Sequence, residues 1–444
     1  MYQVFLLLAS VALLLVMISK LKIHAFFSLL IVSLLLGVVA GIPLPDVATA
    51  VAAGFGGTMQ AIGIVIICGV IIGEVLEMTG GAQKIADSIL KLVGIKRAPL
   101  AVAITGGVVS IPTFCDSGFV ILNPVIRALS RVGKIPYMVL VSALMCGLLT
   151  THSLVPPTPG PIAAAGILGA DVGKVMLYGL IISVPVILIT LLWCNSSYLR
   201  NKYPEVAEED ELATAQNEEF KEIVKHAPST FMSYLPIVMP IILIVASSFM
   251  KMYGTKGTEV FTIVTFIGTP YIALMIGALV SFLLPTKITG TVTDTWVCNA
   301  IMKSAEIVLI TGIAGSFGKI LQLTGVGNIL AGAIVGTHLP SVLLPFIISS
   351  IVLMAQGSAT VALTTTSAIV LPLLPALGIS PELAVIAIAG GSFCGVFPQG
   401  SYFWCVTKLS GYDIKKGYVA VTATTFVMGV AAFVSIWIFS LFVA

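Results

Sequence analysis

Ile111-Pro112-Thr113-Phe114-Cys115-Asp116-Ser117-Gly118 puts a lone carboxylate in the middle of an apolar stretch that runs from 98 to 127. Lys91, Lys96 and Arg97 precede that stretch, and Arg127, Arg131 and Lys134 follow it. Basic residues favour the cytoplasmic side of a membrane, so both ends are expected on one face. A helix rises 1.5 Å per residue and needs about 20 residues to cross a hydrocarbon core of about 30 Å. Residues 98–127 therefore cannot cross twice. They are predicted to enter, turn at 111–118 and return as a re-entrant hairpin. Irregular backbone at that depth survives only where protein buries it or where it lines a cavity. An ionisable group there is costly and marks function.

The whole chain fits this reading. Of its 444 residues, 58% are hydrophobic and only 9% charged, with a mean hydropathy of +1.12; a soluble domain carries about 25% charged residues. The composition is that of an all-α polytopic membrane protein. The net charge of +3 gives no reason to expect a nucleic-acid partner. Cysteines 68, 115, 146, 194, 298, 394 and 405 show no CxxC spacing, and most sit in apolar runs as small buried hydrophobes. The four histidines are far apart, so no metal is expected. No nucleotide-binding fingerprint is present, and no cofactor is expected. The run Met1–Ser19 lacks a basic segment before it, while Lys20 and Lys22 follow. It is expected to be a first span with its N-terminus outside rather than a signal peptide.

Punctuation along the chain sets the rest. Spans are expected at 2–20, 25–42 and 57–78, then a short amphipathic helix at 82–96. Glu74 and Glu77 fall at the cytoplasmic end of the third span and are expected to face the interface. After the hairpin, 137–169 is apolar but interrupted by Thr151-His152-Ser153-Leu154-Val155-Pro156-Pro157-Thr158-Pro159-Gly160-Pro161. Four prolines in six residues cannot stay α-helical, which predicts a discontinuous helix. Asp171 is expected to cap the next helix, which returns by 194. Residues 195–230, with acids at Glu205, Glu208, Glu209, Asp210 and Glu211, read as a solvated cytoplasmic linker.

The second half repeats the first. Gly73-Glu74-Val75-Leu76-Glu77-Met78-Thr79-Gly80 aligns with Gly318-Lys319-Ile320-Leu321-Gln322-Leu323-Thr324-Gly325 at an offset of 318 − 73 = 245, and Gly133 and Pro136 align with Gly378 and Pro381 at the same offset. The loops at 91–97 and 127–134 carry six basic residues, whereas their counterparts at 336–342 and 375–381 carry no Lys or Arg. The halves, 1–194 and 231–444, are thus predicted to be inverted in the membrane, as in secondary transporters. A second hairpin is expected over 340–375, with Ala355-Gln356-Gly357-Ser358-Ala359-Thr360 at its tip. A second broken helix is expected over 381–410, interrupted at 396–401. The count is ten spans and two hairpins, with both termini outside.

Two hairpin tips and two helix breaks meeting at mid-membrane would make a binding site. Helix N-termini carry about half a positive charge each and attract anions. The candidate ligands for the solute are Thr113, Ser117, Asn123, Thr151, Ser153, Thr158, Gly357, Ser358, Thr360, Thr364, Gln399 and Ser401, a set of hydroxyls and amides suited to a small polyhydroxylated, carboxylated or zwitterionic solute. No lysine or arginine sits at any tip. Asp116 fits two roles, a carrier of the coupling proton or cation and a helix cap at the turn. His152 fits a proton relay or substrate contact, and equally a donor to backbone freed by the prolines. Hydroxyls at 364–367 can serve the site or bond their own helix. Gly357 allows close backbone approach. A channel would need a continuous polar path, and two opposed hairpins argue against one. An enzyme would need a paired nucleophile and base, and only Cys115 or Ser117 with His152 could supply it.

These residues resemble a known family. IPTFCDSGFVIL at 111–122, THSLVPPTPGP at 151–161, Ala170-Asp171-Val172-Gly173, Gly357-Ser358-Ala359-Thr360-Val361-Ala362, Ser380-Pro381-Glu382-Leu383 and Phe403-Trp404 look like the gluconate permease family, in order along nearly the whole chain. The resemblance implies a multi-pass protein of the bacterial inner membrane, importing a sugar acid such as gluconate, or D-serine, with protons. Sodium coupling of a carboxylate transporter is the rival within the class. The wider ion transporter superfamily implies a homodimer with a scaffold and an elevator-like transport domain. Three departures bear on solute contacts and ion coupling rather than on class. The family usually has Glu where this chain has Asp116, often His where it has Thr158, and commonly Asp where Gly400 precedes Ser401.

Overall fold

In an apolar solvent every backbone polar group must be satisfied inside the chain, so a sequence this hydrophobic forms helices. The computed structural model describes residues 2–93, 97–207, 227–285, 290–324, 340–398 and 400–443. Among them there is no strand. The chain opens with α1 (Tyr2–Ser19) and α2 (Ala25–Val39), then α3 (Leu44–Met78) and α4 (Gly81–Val93). Here the expectation of a third span at 57–78 is corrected. α3 has 35 residues and starts at Leu44, because Pro45 is tolerated in a first turn and Asp46 suits the helix dipole there.

Next come α5 (Ala98–Val109) and α6 (Cys115–Gly133), separated by a turn at 110–114. α7 (Tyr137–Leu154) and α8 (Pro159–Leu168) follow, with the break at 155–158. Only those four residues leave the helix. Thr151, His152 and Ser153 stay in the last turn of α7, and Pro159 sits in the first turn of α8, where its missing N–H costs nothing. α9 (Val172–Cys194) is capped by Asp171, whose Oδ1 accepts from Lys174 N at 2.9 Å.

The linker is more ordered at its start than a solvated spacer. α10 (Ser197–Lys202) leads into 203–207, where Tyr137 N donates to Glu205 O at 2.9 Å and Ala207 N to Ser130 Oγ at 3.1 Å. Glu208, Glu209, Asp210 and Glu211 lie outside the described residues.

The rest comprises α11 (Thr230–Tyr253), α12 (Glu259–Ile267), α13 (Pro270–Ser281) and α14 (Val297–Leu323), with α14 entered through a π-helical turn at Thr291–Trp296. α15 (Leu343–Gln356) and α16 (Ala359–Val370) form a second helix–turn–helix, continued by α17 (Leu374–Leu377). α18 (Pro381–Gly391) and α19 (Ser401–Leu409) flank a wider break than expected, beginning at Ser392 and including Gly395 at φ +85°. α20 (Ile414–Gly417) and α21 (Thr424–Val443) complete the chain. Against the ten crossings counted from sequence, six helices among the described residues are long and apolar enough to span, or eight if two bent pairs each count once. α2 has 15 residues and α18 has 11, short of the roughly 20 that a perpendicular crossing needs.

Small residues set the packing, as expected where lipid leaves helix association to close contact. α3 and α14 run antiparallel and nearly touch. A Cβ on Gly54 would lie 2.6 Å from Ser316 Cα, and Ser316 Oγ donates to Val51 O at 2.7 Å. α5 and α7 meet in the same way through Gly106, Gly107 and Gly147, where Thr151 Oγ1 donates to Gly107 O at 2.7 Å.

Candidate functional site

The helix interruptions come together because glycines on a neighbouring helix admit their backbones. Gly69 and Gly73 lie one turn apart on α3, on one face. The Pro157 carbonyl of the first break packs against Gly69, and the Pro112 carbonyl of the α5–α6 turn packs against Gly73. On the other side, Gly400 before α19 packs against the Gly357 backbone. Gly357 caps α15 at φ +81°, a left-handed conformation that glycine adopts without strain. Ser358 then caps α16, its Oγ accepting from Val361 N.

Between these elements lies a cavity of about 280 Å³, a size that suits a small metabolite. Phe114, Cys115 and Asp116 at the start of α6 line it, with His152 from α7. So do Gly357, Ser358, Thr360 and Thr364 from the α15–α16 turn, and Ser401 and Tyr402 at the start of α19. The N-termini of α6, α16 and α19 thus face one space. α14 supplies the remaining wall with Lys303, Glu306 and Thr311.

Asp116 sits half-buried in the first turn of α6, reached by the Cys405 thiol and by its own backbone N–H. His152 is buried, hydrogen-bonded to the Thr113 backbone and packed against the Phe114 ring with centroids 6.1 Å apart. Its Nδ1 has no protein partner, and neither has the buried Tyr402 hydroxyl. These are the polar atoms that a solute or water in the cavity can satisfy.

The hydroxyls divide. Gly357, Ser358, Thr360, Thr364 and Ser401 line the cavity. Thr113 does not: its Oγ1 donates to Val109 O at 2.7 Å. Thr151 ties α7 to α5, Thr158 donates to Val155 O at 2.6 Å, and Ser153 is buried away from the cavity. Ser117 bonds the Glu77 carboxylate. Asn123 lies further along α6, donating to Leu409 O at 2.9 Å and accepting from the Tyr137 hydroxyl. Gln399 lies outside the described residues. Among the described residues no group of three His, Cys, Asp or Glu side chains could hold a metal ion.

Two features of the site were missed from sequence. Glu74 does not face the interface; its side chain is 3% exposed and sits 2.5 Å from Lys303 Nζ. Lys303 brings a cation into the cavity wall although no tip carries one. The signal was available, since a lysine and a glutamate one turn apart inside an apolar span mark function by default.

Comparison with known proteins places this geometry. The model of the GntP family permeases matches residues 2–442. The chain belongs to the GntP permease family. It is 33% identical over 441 residues to the inner membrane permease YgbN of Escherichia coli (97% of this chain, 96% of that protein). It is 31% identical to a gluconate permease of Zymomonas mobilis (96% and 95%) and 28% to the D-serine transporter DsdX of Escherichia coli (98% and 97%). Among solved structures, the Neisseria gonorrhoeae MtrF, described as one of a class of antimetabolite efflux pumps, superposes with a TM-score of 0.71 at 15% identity, covering 97% of each chain. That likeness concerns the fold. The GntP permease described here is a multi-pass inner-membrane protein and, like these relatives, a transporter rather than an enzyme.

Proposed function

We propose that this permease is a proton-coupled symporter of a small sugar acid or related hydroxy acid, in the class of gluconate, with the zwitterion D-serine as the neighbouring chemistry. The observation that carries the reading is the cavity where three helix N-termini converge around Asp116 and His152. Partial positive charge from the helix ends suits a carboxylate. Ser358, Thr360, Thr364 and Ser401 suit the hydroxyls of its tail. Asp116 carries the coupling proton, and His152 relays it or contacts the solute.

The inverted repeat belongs to the same proposal. Adding 245 to Ala98–Val109 (α5) gives 343–354, against an observed α15 of Leu343–Gln356; the start of α6 at 115 maps to 360, against 359 for α16, and α7 at 137 maps to 382, against 381 for α18. This correspondence supports two related halves, 1–194 and 231–444. In the working cycle α5–α8 and α15–α19 move as one transport unit against a scaffold containing α3 and α14, within a homodimer.

The test is uptake of labelled gluconate into proteoliposomes. Asp116→Asn is expected to abolish accumulation driven by a pH gradient while leaving solute exchange partly intact. Undiminished gradient-driven uptake by the variant refutes the coupling role, and accumulation driven by a sodium gradient alone refutes proton coupling.

A further inference from the structure

Lys303 does not enter the cavity wall as a free charge. Its Nζ lies 2.5 Å from Glu74 Oε2 and 3.7 Å from Glu77 Oε2. The two partners differ. The Glu74 side chain is sealed inside at 3% exposure, whereas Glu77 keeps 28% and Lys303 42%. Glu77 therefore holds the looser contact; it borders a small adjoining pocket, and Lys303 lines both that pocket and the cavity. Its other polar neighbour is Ser117, in the first turn of α6 beside Asp116. The charged groups acting on Glu77 are Lys303 from α14 and Glu74 from its own helix. Glu306, three residues beyond Lys303, also borders the cavity, with its carboxylate 3.1 Å from His24 Nε2.

We propose that Lys303 is the anchor for the solute's carboxylate, and that the carboxylate replaces Glu77 at the ammonium while Glu77 takes up a proton. This rests on the cavity being the solute site. The charge balance is closed. Before binding, Glu74, Glu77 and Lys303 sum to −1. After binding, the solute carboxylate, Glu74, Lys303 and a neutral Glu77 acid again sum to −1. One O–H bond forms at Glu77, with the proton supplied by hydronium or buffer acid of the bulk solution, so that no hydroxide is left in the cavity. Without that proton, three carboxylates would face one ammonium among apolar helices, where unpaired charge is expensive. The exchange makes the anion arrive with a proton at no change in local charge. Ser117 gives the released acid a partner, and the carboxylate at Lys303 leaves the solute's tail to reach Ser358, Thr360 and Ser401 across the cavity.

Calorimetric titration of the purified full-length protein with gluconate, in two buffers of different ionisation enthalpy at one pH, reads protons taken up per anion bound. Glu77→Gln is expected to bind gluconate with about one proton fewer than the parent, and Asp116→Asn to keep the Glu77 proton while losing only the one that Asp116 itself carries. Lys303→Met is expected to weaken binding about tenfold or more, as loss of a charge-assisted hydrogen bond implies, with Lys303→Arg recovering most of it. Lys303→Met strands Glu74, so the double variant Glu74→Gln/Lys303→Met, which removes both charges, serves as the folded control and should still bind weakly. Unchanged proton uptake in Glu77→Gln, or parental affinity in the double variant, overturns the inference. Proton uptake lost only in Asp116→Asn overturns it while leaving the proposed function standing. Failure of the parent protein to bind gluconate or any other sugar acid removes the proposed function itself.

Discussion

Replacing Gly147 by alanine tests the contact that holds the first hairpin against the first broken helix. A Cβ there would press hardest on the Ala103 carbonyl oxygen and would lie 2.8 Å from its carbon and 2.9 Å from Gly107 N. Comfortable separation between carbon atoms is about 3.5–4.0 Å, so α5 must retreat by more than about 1 Å. The opposing atoms are backbone, and no rotamer change relieves them. Overpacking of this kind costs about 1–3 kcal/mol. Alanine in place of a helical glycine returns about 0.5–1 kcal/mol. Stretching the Thr151–Gly107 hydrogen bond removes about 0.6 kcal/mol more. The net expectation is a loss of about 1–3 kcal/mol by that arithmetic. Gly56, inside α3, has nothing within 4 Å of its added Cβ. Alanine there should be neutral or stabilising by up to about 1 kcal/mol. Reversible unfolding in mixed micelles measures both. α5 leads into the turn that carries Phe114 and Asp116, and His152 follows Gly147 on α7, so retreat of α5 should also raise the solute KM in uptake. Equal stability of Gly147→Ala and Gly56→Ala would refute the packing argument.

Gly357→Ala forces a side chain into a left-handed conformation at φ +81°. It should cost about 1–2 kcal/mol and weaken solute binding, because Gly357 lines the cavity, read by thermal shift and uptake together. Tyr137→Phe removes the donor to Asn123 Oδ1. It should cost about 1–3 kcal/mol in stability with solute KM unchanged, since neither residue touches the cavity.

The breaks were legible because prolines and glycines act locally. Pro156, Pro157 and Pro159 interrupt a helix whatever packs around them, and Gly357 marks a turn. The hydroxyls were not legible. Thr113, Thr151 and Thr158 looked like ligands, but a hydroxyl in an apolar helix finds a nearby carbonyl, its own or a neighbour's. Thr360 and Ser401 have the same chemistry and face the cavity only because their helices begin there. Asn123 read as a site residue because it lies in the hairpin, yet it falls two turns past the tip and pairs with Leu409 and Tyr137. The third helix was under-read at its start, where Gly54 packs on α14 while Gly56 and Gly57 meet nothing within 4 Å.

From the sequence alone came an all-helical membrane protein with interrupted helices, like motifs at a spacing of 245 residues, and a carboxylate beside a turn. Each follows from forces that act over a few residues or from simple counting of apolar lengths and charges. Only the tertiary structure decided which interruptions share a cavity, which hydroxyls face it, and that Lys303 reaches Glu74 across 229 positions in the chain. That pairing depends on two helices approaching at glycine contacts, and close approach is a property of surfaces that meet in space, which no local pattern of residues encodes.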